Sequence, residues 1–144
     1  MLLAILAVAL LIAVSPPPPY APPNLAGCSL AHGFVIGEAP SLSGMVEIWD
    51  CSGRTIVTLN QIRDLPAEGA PVTRYHFSLS PGPGERLMGC RGEDENFDGT
   101  IAIASADGGN RPELRQAWKA DTEKWRFVPA MRTGLICNRG LTVN

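Results

Sequence analysis

The side chains best placed for chemistry form an acidic segment in the second half of the chain. Four carboxylates fall within residues 93–98, where they repel one another unless a cation or a basic side chain lies among them. Side-chain oxygens on alternate residues can converge on one hard cation, while the following Gly99 allows a sharp turn. The segment therefore predicts a site for calcium as cofactor. Its predicted ligands are Asp94, Asn96, Asp98 and the backbone carbonyl of Thr100, with Glu93 or Asp107 in addition.

Residues 94–101 resemble the first eight positions of a calcium loop of the type D-x-[DN]-x-[DN]-G. The twelfth position is Ser105, where an EF-hand has a bidentate glutamate, and strands are predicted on both sides of the loop. An EF-hand is therefore excluded, whereas a calcium loop between strands stays open. The alternative is a hairpin loop in which Asp98 and Gly99 form the turn, the acids are solvated and the protein has no cofactor.

The two histidines give a weaker indication of catalysis. His76 lies on the polar face of a predicted strand, two residues before Ser78, but the chain has no G-x-S-x-G elbow and no carboxylate placed to orient the ring. His32 is expected in an entry loop, and two histidines without close spacing make a poor zinc site. A small hydrolase using His76 and a serine is thus the least supported function, and no catalytic residue is predicted.

Four cysteines are spread along the chain without a C-x-x-C pair, which excludes a zinc ribbon and a thioredoxin-type redox pair. Wide spacing in an exported chain favours disulfides, and four cysteines allow three connectivities among which the sequence does not choose. The cysteines are Cys28, Cys51, Cys90 and Cys137.

The N-terminal part differs in composition from the rest, because no charged residue precedes Glu38. Residues 1–14 contain an apolar run that is short for a membrane span and predict a signal-peptide core or a membrane anchor. Residues 15–27 are a proline-rich spacer, and residues 28–144 are predicted to form a single β domain. Residues 25–28 resemble the lipobox of bacterial lipoproteins, and this resemblance implies lipidation of Cys28 as an alternative to a disulfide there.

The distribution of charge predicts contacts within the domain. The formal net charge of −2 argues against nucleic acid as a partner. Residues 28–110 carry five basic and eleven acidic side chains, whereas residues 111–144 carry seven basic and three acidic ones. The C-terminal segment is therefore expected to lie over the acidic loop region and to pair with it.

Alternating apolar and polar residues, punctuated by turn residues about every ten positions, predict an all-β fold: a small, disulfide-bearing antiparallel sandwich or partly open barrel of about seven or eight short strands. The clearest strand places Tyr75, Phe77 and Leu79 on one face. Hairpins are predicted from residues 44–50 with 54–60 and from 85–90 with 99–104. Residues 112–120 allow either a helix or one arm of a hairpin that turns at Asp121, and the hairpin is preferred because residues 125–128 alternate well and need a partner.

These patterns together predict an exported protein that is periplasmic, secreted or tethered outside the cytoplasmic membrane. The leading hypothesis is a non-catalytic binding or structural module of the cell envelope, whose partner is an unknown protein or envelope component. Contact with a membrane is expected only through an N-terminal anchor or lipid. A calcium-binding β domain and a small hydrolase are the alternatives.

Overall fold

The computed structural model describes residues 23–37, 42–63, 71–93, 95–109 and 111–138. They form an all-β fold, which confirms the predicted class, and they include no helix that could cross a membrane. The predicted signal or anchor segment and most of the proline-rich spacer lie outside the described residues. The nine strands are β1 Cys28–Ile36, β2 Gly44–Cys51, β3 Arg54–Gln61, β4 Val72–Leu79, β5 Glu85–Gly92, β6 Thr100–Ser105, β7 Leu114–Asp121, β8 Arg126–Pro129 and β9 Leu135–Asn138.

The strands form two antiparallel sheets, in the orders β1-β2-β3-β4 and β8-β7-β6-β5-β9, that pack face to face as a sandwich. Both predicted early hairpins are present, as β2–β3 and β5–β6. Residues 114–121 form a strand paired with β8, so the hairpin interpretation of this segment is confirmed over the helix. One expectation is wrong: His32 lies within strand β1, not in an entry loop, because a bulge between Leu30 and His32 interrupts the alternation that marks a strand.

The buried core between the sheets is built from alternate residues of six strands, and partly buried residues of β4 and β8 pack against it. Val46, Ile48 and their partners on β3 face Leu87, Ile101 and Ile103 of the second sheet. The predicted inward face of β4 is confirmed, because Tyr75, Phe77 and Leu79 all pack against this core. 

The two sheets approach each other closely at Phe34 and Gly89. The Phe34 ring lies against the bare backbone of Gly89, where an added Cβ would be 2.7 Å from the ring atom Cζ. The same ring stacks on His32, with centroids 6.0 Å apart, and contacts Phe97 at 4.8 Å. Gly89 therefore sets how closely β1 and β5 approach.

The chain crosses the outer face of the second sheet near its C-terminal end. Strands β8 and β9 lie at opposite edges of this sheet, yet only residues 130–134, here called the strap, connect them. Ala130 and Leu135, at the two ends of this crossing, pack on an outer-face cluster that contains Ala102 and Ala104, so the strap covers small side chains. The Arg132 guanidinium donates to the carbonyl oxygens of Leu114 and Arg115 and fastens the strap to β7.

All four cysteines form disulfides, Cys28–Cys51 and Cys90–Cys137, and each bridge joins directly opposed residues of neighbouring strands. The predicted disulfides are thus confirmed, and the pairing that the sequence left open is settled. A sulfur bonded to Cys51 cannot at the same time carry the thioether of a lipoprotein, so the two interpretations of Cys28 exclude each other. Two disulfides are typical of a protein that folds in an oxidising compartment.

The expected pairing between the two charge-biased parts of the chain is also present. Arg111 pairs with Glu93 at 2.9 Å, Arg115 with Glu85 at 2.8 Å and Lys119 with Asp98 at 3.0 Å. Each pair joins a base from residues 111–144 to an acid from residues 28–110, and each contributes little on its own because it is exposed to solvent.

Gly89→Ala is expected to lower the free energy of unfolding by about 1–3 kcal/mol, because the new methyl group overlaps the buried Phe34 ring. In a Phe34→Leu background the same substitution should cost less, because the smaller side chain leaves room. Urea unfolding of the four proteins in this cycle measures the coupling, and equal costs in both backgrounds would contradict the contact.

Peptide mapping of the unreduced protein should yield two linked peptide pairs, one containing Cys28 with Cys51 and the other Cys90 with Cys137. Intact mass should rise by four alkyl groups only after reduction, because no described cysteine is free. A diacylglycerol mass on Cys28 would instead show that the lipobox is used and that this bridge is absent.

Candidate functional site

A polar groove lies at one end of the sandwich, where the two sheets separate, and we call it the mouth groove. Two adjoining cavities of 390 and 520 Å³ share Asp50, Thr55 and Pro81. The first cavity is also lined by Ala31, His32, Ile48, Glu85, Arg86 and Leu87. The second continues toward the β2–β3 turn along Gly27, Ser29, Cys51, Ser52, Gly53 and Arg54.

The groove exists because the inward-facing residues change from apolar to polar at this end of the sheets. Asp50 follows Ile48 on the same face of β2, and it lies opposite both Ser29 of β1 and Thr55 of β3. In the second sheet Glu85 precedes Leu87 on the inward face of β5 in the same way. The polar side chains do not fill the space between the sheets, and a groove is left above the core.

The Cys28–Cys51 disulfide holds one wall of the groove. It joins the first residue of β1 to the last residue of β2, immediately before the turn formed by Ser52 and Gly53. These two segments line the second cavity from opposite sides. The bridge thus fixes the distance between the start of β1 and the end of β2, with or without a ligand in the groove.

His32 supplies the most unusual atom of the groove. Its Nδ1 atom is buried and has no hydrogen-bond partner among the described residues, although buried polar atoms are nearly always paired. The bulge in β1 turns the ring inward, and stacking on Phe34 holds it there. The ring also lines the first cavity, but Nδ1 itself is covered, so a water molecule or a ligand in the groove reaches this atom only if the ring shifts.

The carboxylate of Glu85 already accepts hydrogen bonds from other residues of the protein. Its carboxylate accepts hydrogen bonds from the Arg115 guanidinium at 2.8 Å and from the backbone N–H of Gly82 at 2.9 Å. The hydrogen bond from Arg115 is the main reason why the pKa of Glu85 is lowered from its ordinary value. Glu85 therefore stays charged and is unsuited to act as a general acid near neutral pH.

Three other charged side chains of the groove are available to a ligand. Asp50, Arg54 and Arg86 make no ion pair with any other residue in the described part of the chain. Asp50 presents an anionic group on the inward face together with the His32 imidazole and the Thr55 hydroxyl. Arg54 and Arg86, whose strand positions alternate with the inward-facing ones, lie at the rim of the groove. This set can bind a ligand with polar groups of both charges, but it includes no activated nucleophile.

The predicted calcium ligands are only partly within the described residues, because Asp94 lies outside them. Asp98 uses one oxygen to accept hydrogen bonds from the backbone N–H and the hydroxyl of Thr100, at 3.1 and 2.7 Å, and the other to pair with Lys119. Gly99 has φ of 90°, as the alternative turn interpretation requires. Within the described residues no three His, Cys, Asp or Glu side chains converge as a metal site would need. The calcium site stays a prediction.

The predicted hydrolase residues lie on another face of the molecule. His76 is opposite Thr58, and Ser78 is opposite Ile56, on the outer face of the first sheet. The mouth groove opens on the inward face of that sheet, so His76 and the groove are separate. The hydrolase hypothesis gains no support from this arrangement.

A second polar cluster on the outer face of the first sheet was not expected from the sequence. Glu47 Oε2 accepts hydrogen bonds from the Trp49 indole at 3.3 Å, the Thr58 hydroxyl at 3.2 Å and the Asn60 amide at 2.8 Å. Thr73 in turn donates to Asn60 at 2.8 Å. The alternation of Glu47, Thr58 and Asn60 with core residues was the available signal, but only the strand register shows that they meet.

Comparison with known protein families, curated protein sequences and solved structures finds no match to this chain.

The Asp98 contacts lead to a prediction for acid stability. Burial alone would raise the pKa of Asp98, but the hydrogen bonds from Thr100 and Lys119 and the charge of Lys119 outweigh it, so the pKa is lowered from its ordinary 3.8. Asp98 thus stabilises the fold fully above pH 3.8, and this contribution is lost as the pH falls through the lower pKa of the folded state.

Asp98→Asn should therefore flatten the loss of stability below about pH 4, and Asp98→Ala should in addition cost about 1–2 kcal/mol at pH 7 through the lost Thr100 contacts. Urea unfolding between pH 2 and 7 measures both effects. A melting temperature that rises in millimolar calcium, and no longer does so in Asp98→Ala, would instead show that the loop exchanges Lys119 for an ion. If the free energy of unfolding decreases below about pH 4 as steeply in Asp98→Asn as in the original protein, the lowered pKa of Asp98 is contradicted.

Proposed function

We propose that this protein is an exported, non-catalytic binding module and that the mouth groove receives its ligand. The observation that carries the proposal is the placement of His32, whose ring lines a cavity and whose buried Nδ1 atom has no partner in the described part of the protein. A binding site typically combines an apolar floor with a few polar groups of fixed orientation. Here Ile48 and Leu87 supply the floor, and His32, Thr55 and Asp50 supply polar groups.

Rigidity of the groove supports binding rather than a catalytic cycle. The Cys28–Cys51 bridge, the stacked His32 ring and the Arg115–Glu85 pair hold three parts of the lining before any ligand arrives. A preformed site loses less conformational entropy on binding than a mobile one does. The lowered pKa of Glu85 removes one carboxyl group that might otherwise serve as a proton donor.

Export is part of the proposal and rests on two separate observations. The apolar residues 2–14 precede a proline-rich spacer, which is typical of a targeting segment followed by a linker. Two disulfides in a domain of this size are typical of an oxidising compartment. A module displayed outside the cytoplasmic membrane meets envelope components and extracellular ligands.

The proposal is tested by ¹H–¹⁵N NMR of the full chain with both disulfides formed. A pool of random acetylated hexapeptides and, separately, a pool of di- and trisaccharides are added as probes. Signals of groove residues, including the His32 imidazole, should shift with one of the pools. The shifts should disappear in Asp50→Ala/Arg86→Ala, because that variant removes charged groups of the groove without altering the core.

Met131→Ala is the matched control, since Met131 is exposed on the strap, away from the groove, and should leave the shifts unchanged. The proposal fails if neither pool moves the groove signals, or if the shifts survive in the Asp50→Ala/Arg86→Ala variant.

A further inference from the structure

The free edge of strand β1 differs from the other three sheet edges of the described structure. Strand β1 is nine residues long and, among the described residues, pairs only with β2. Natural sheets usually protect an edge with charged side chains, proline or a very short strand, because unpaired backbone groups accept a further strand. Strand β1 has none of these features, since its sequence contains neither Asp, Glu, Lys, Arg nor Pro.

The other edges each have such a feature. Strand β8 has four residues, with Arg126 at its start and Pro129 at its end. Strand β9 also has only four residues. Strand β4 carries Arg74, whose guanidinium bonds to Gln61 on the neighbouring strand and lies over the Trp125 ring. The bulge between Leu30 and His32 is the single irregularity of β1, and it leaves residues 32–36 as a regular strand.

Exposed apolar side chains lie on this unprotected edge. Leu30 and Val35 are 51% and 44% exposed, and both lie on the outer face, opposite Trp49 and Met45 of β2. The inward side of the same strand borders the mouth groove through Ser29, Ala31 and His32. A strand added to β1 would therefore meet apolar side chains on the outer face and, at the groove end of the inward face, the polar side chains of Ser29 and His32.

We propose that β1 binds an extended polypeptide segment of a partner protein, which adds a fifth strand to the first sheet. This inference rests on the proposed function, because the groove would receive every second side chain of the added segment. The backbone groups of β1 select an extended peptide, since only another polypeptide strand matches their spacing. Alternate side chains of that segment are apolar, beside Leu30 and Val35, and polar, beside Ser29 and His32.

The experiment compares two heptapeptide pools, acetylated and amidated, with the same composition. In the first pool Val, Ile or Leu alternates with polar residues; in the second the four apolar residues precede the three polar ones. Backbone amide exchange of residues 28–36 is followed by NMR in the full chain. The alternating pool should slow exchange of the outward amides of β1 at least tenfold, and the block pool less than twofold.

Val35→Lys should abolish this protection, because a lysine on the edge disfavours strand addition. Val72→Lys is the matched control, since Val72 is 47% exposed on the edge strand β4, and it should retain the protection. Circular dichroism checks that both variants keep the fold. Equal protection by both pools, no protection by either, or protection that persists in Val35→Lys would each overturn the inference.

Two further outcomes separate this inference from the proposed function. If groove signals shift on ligand addition while β1 exchange is unchanged, the groove binds a ligand and the strand addition is wrong. If β1 is protected equally in Asp50→Ala/Arg86→Ala, the strand addition stands and the groove is not the binding site. Protection that needs no peptide and rises with protein concentration would identify a second copy of the chain as the occupant and would overturn the inference.

Discussion

The contact between the Phe34 ring and the backbone of Gly89 is the constraint on which the rest of the structure depends. It brings β1 against β5 and so sets the spacing of the two sheets at the edge where the mouth groove opens. The same ring supports His32, so the imidazole that lines the groove is positioned by the core. A residue with a side chain in place of Gly89 would separate the sheets and move the groove wall together with the edge strand.

The alternation of residue types was enough to predict most strands and the antiparallel all-β class. The β2–β3 and β5–β6 hairpins and the inward face of β4 follow from patterns within a few residues of one another. Strand β1 was missed because the bulge between Leu30 and His32 breaks the period of two in the sequence, and the bulge is recognisable only from the pairing with β2. The partner of Cys28 was unknown for the same reason, since the pairing of the cysteines follows from strand register.

The groove was beyond prediction because its lining comes from segments that are distant in sequence. Ser29, Asp50 and Thr55 are ordinary polar residues near turns, and Glu85 follows a Pro-Gly turn. Only the register of three strands and the packing of the second sheet bring them to one place. The acidic segment gave the stronger local signal for a binding site. In the structure, however, both carboxylate oxygens of Asp98 are already paired, one with Thr100 and the other with Lys119.

The strap determines how late the second sheet is completed during synthesis of the chain. Strand β9 pairs with β5, so the second sheet lacks this edge strand until the last part of the chain has emerged and the strap has crossed the face. Cys28 and Cys51 are 23 residues apart and can join early, whereas Cys90 has to wait for Cys137, 47 residues later. During that interval Cys90 is a free thiol, and the order in which the cysteines are synthesised favours the native bridges over their isomers.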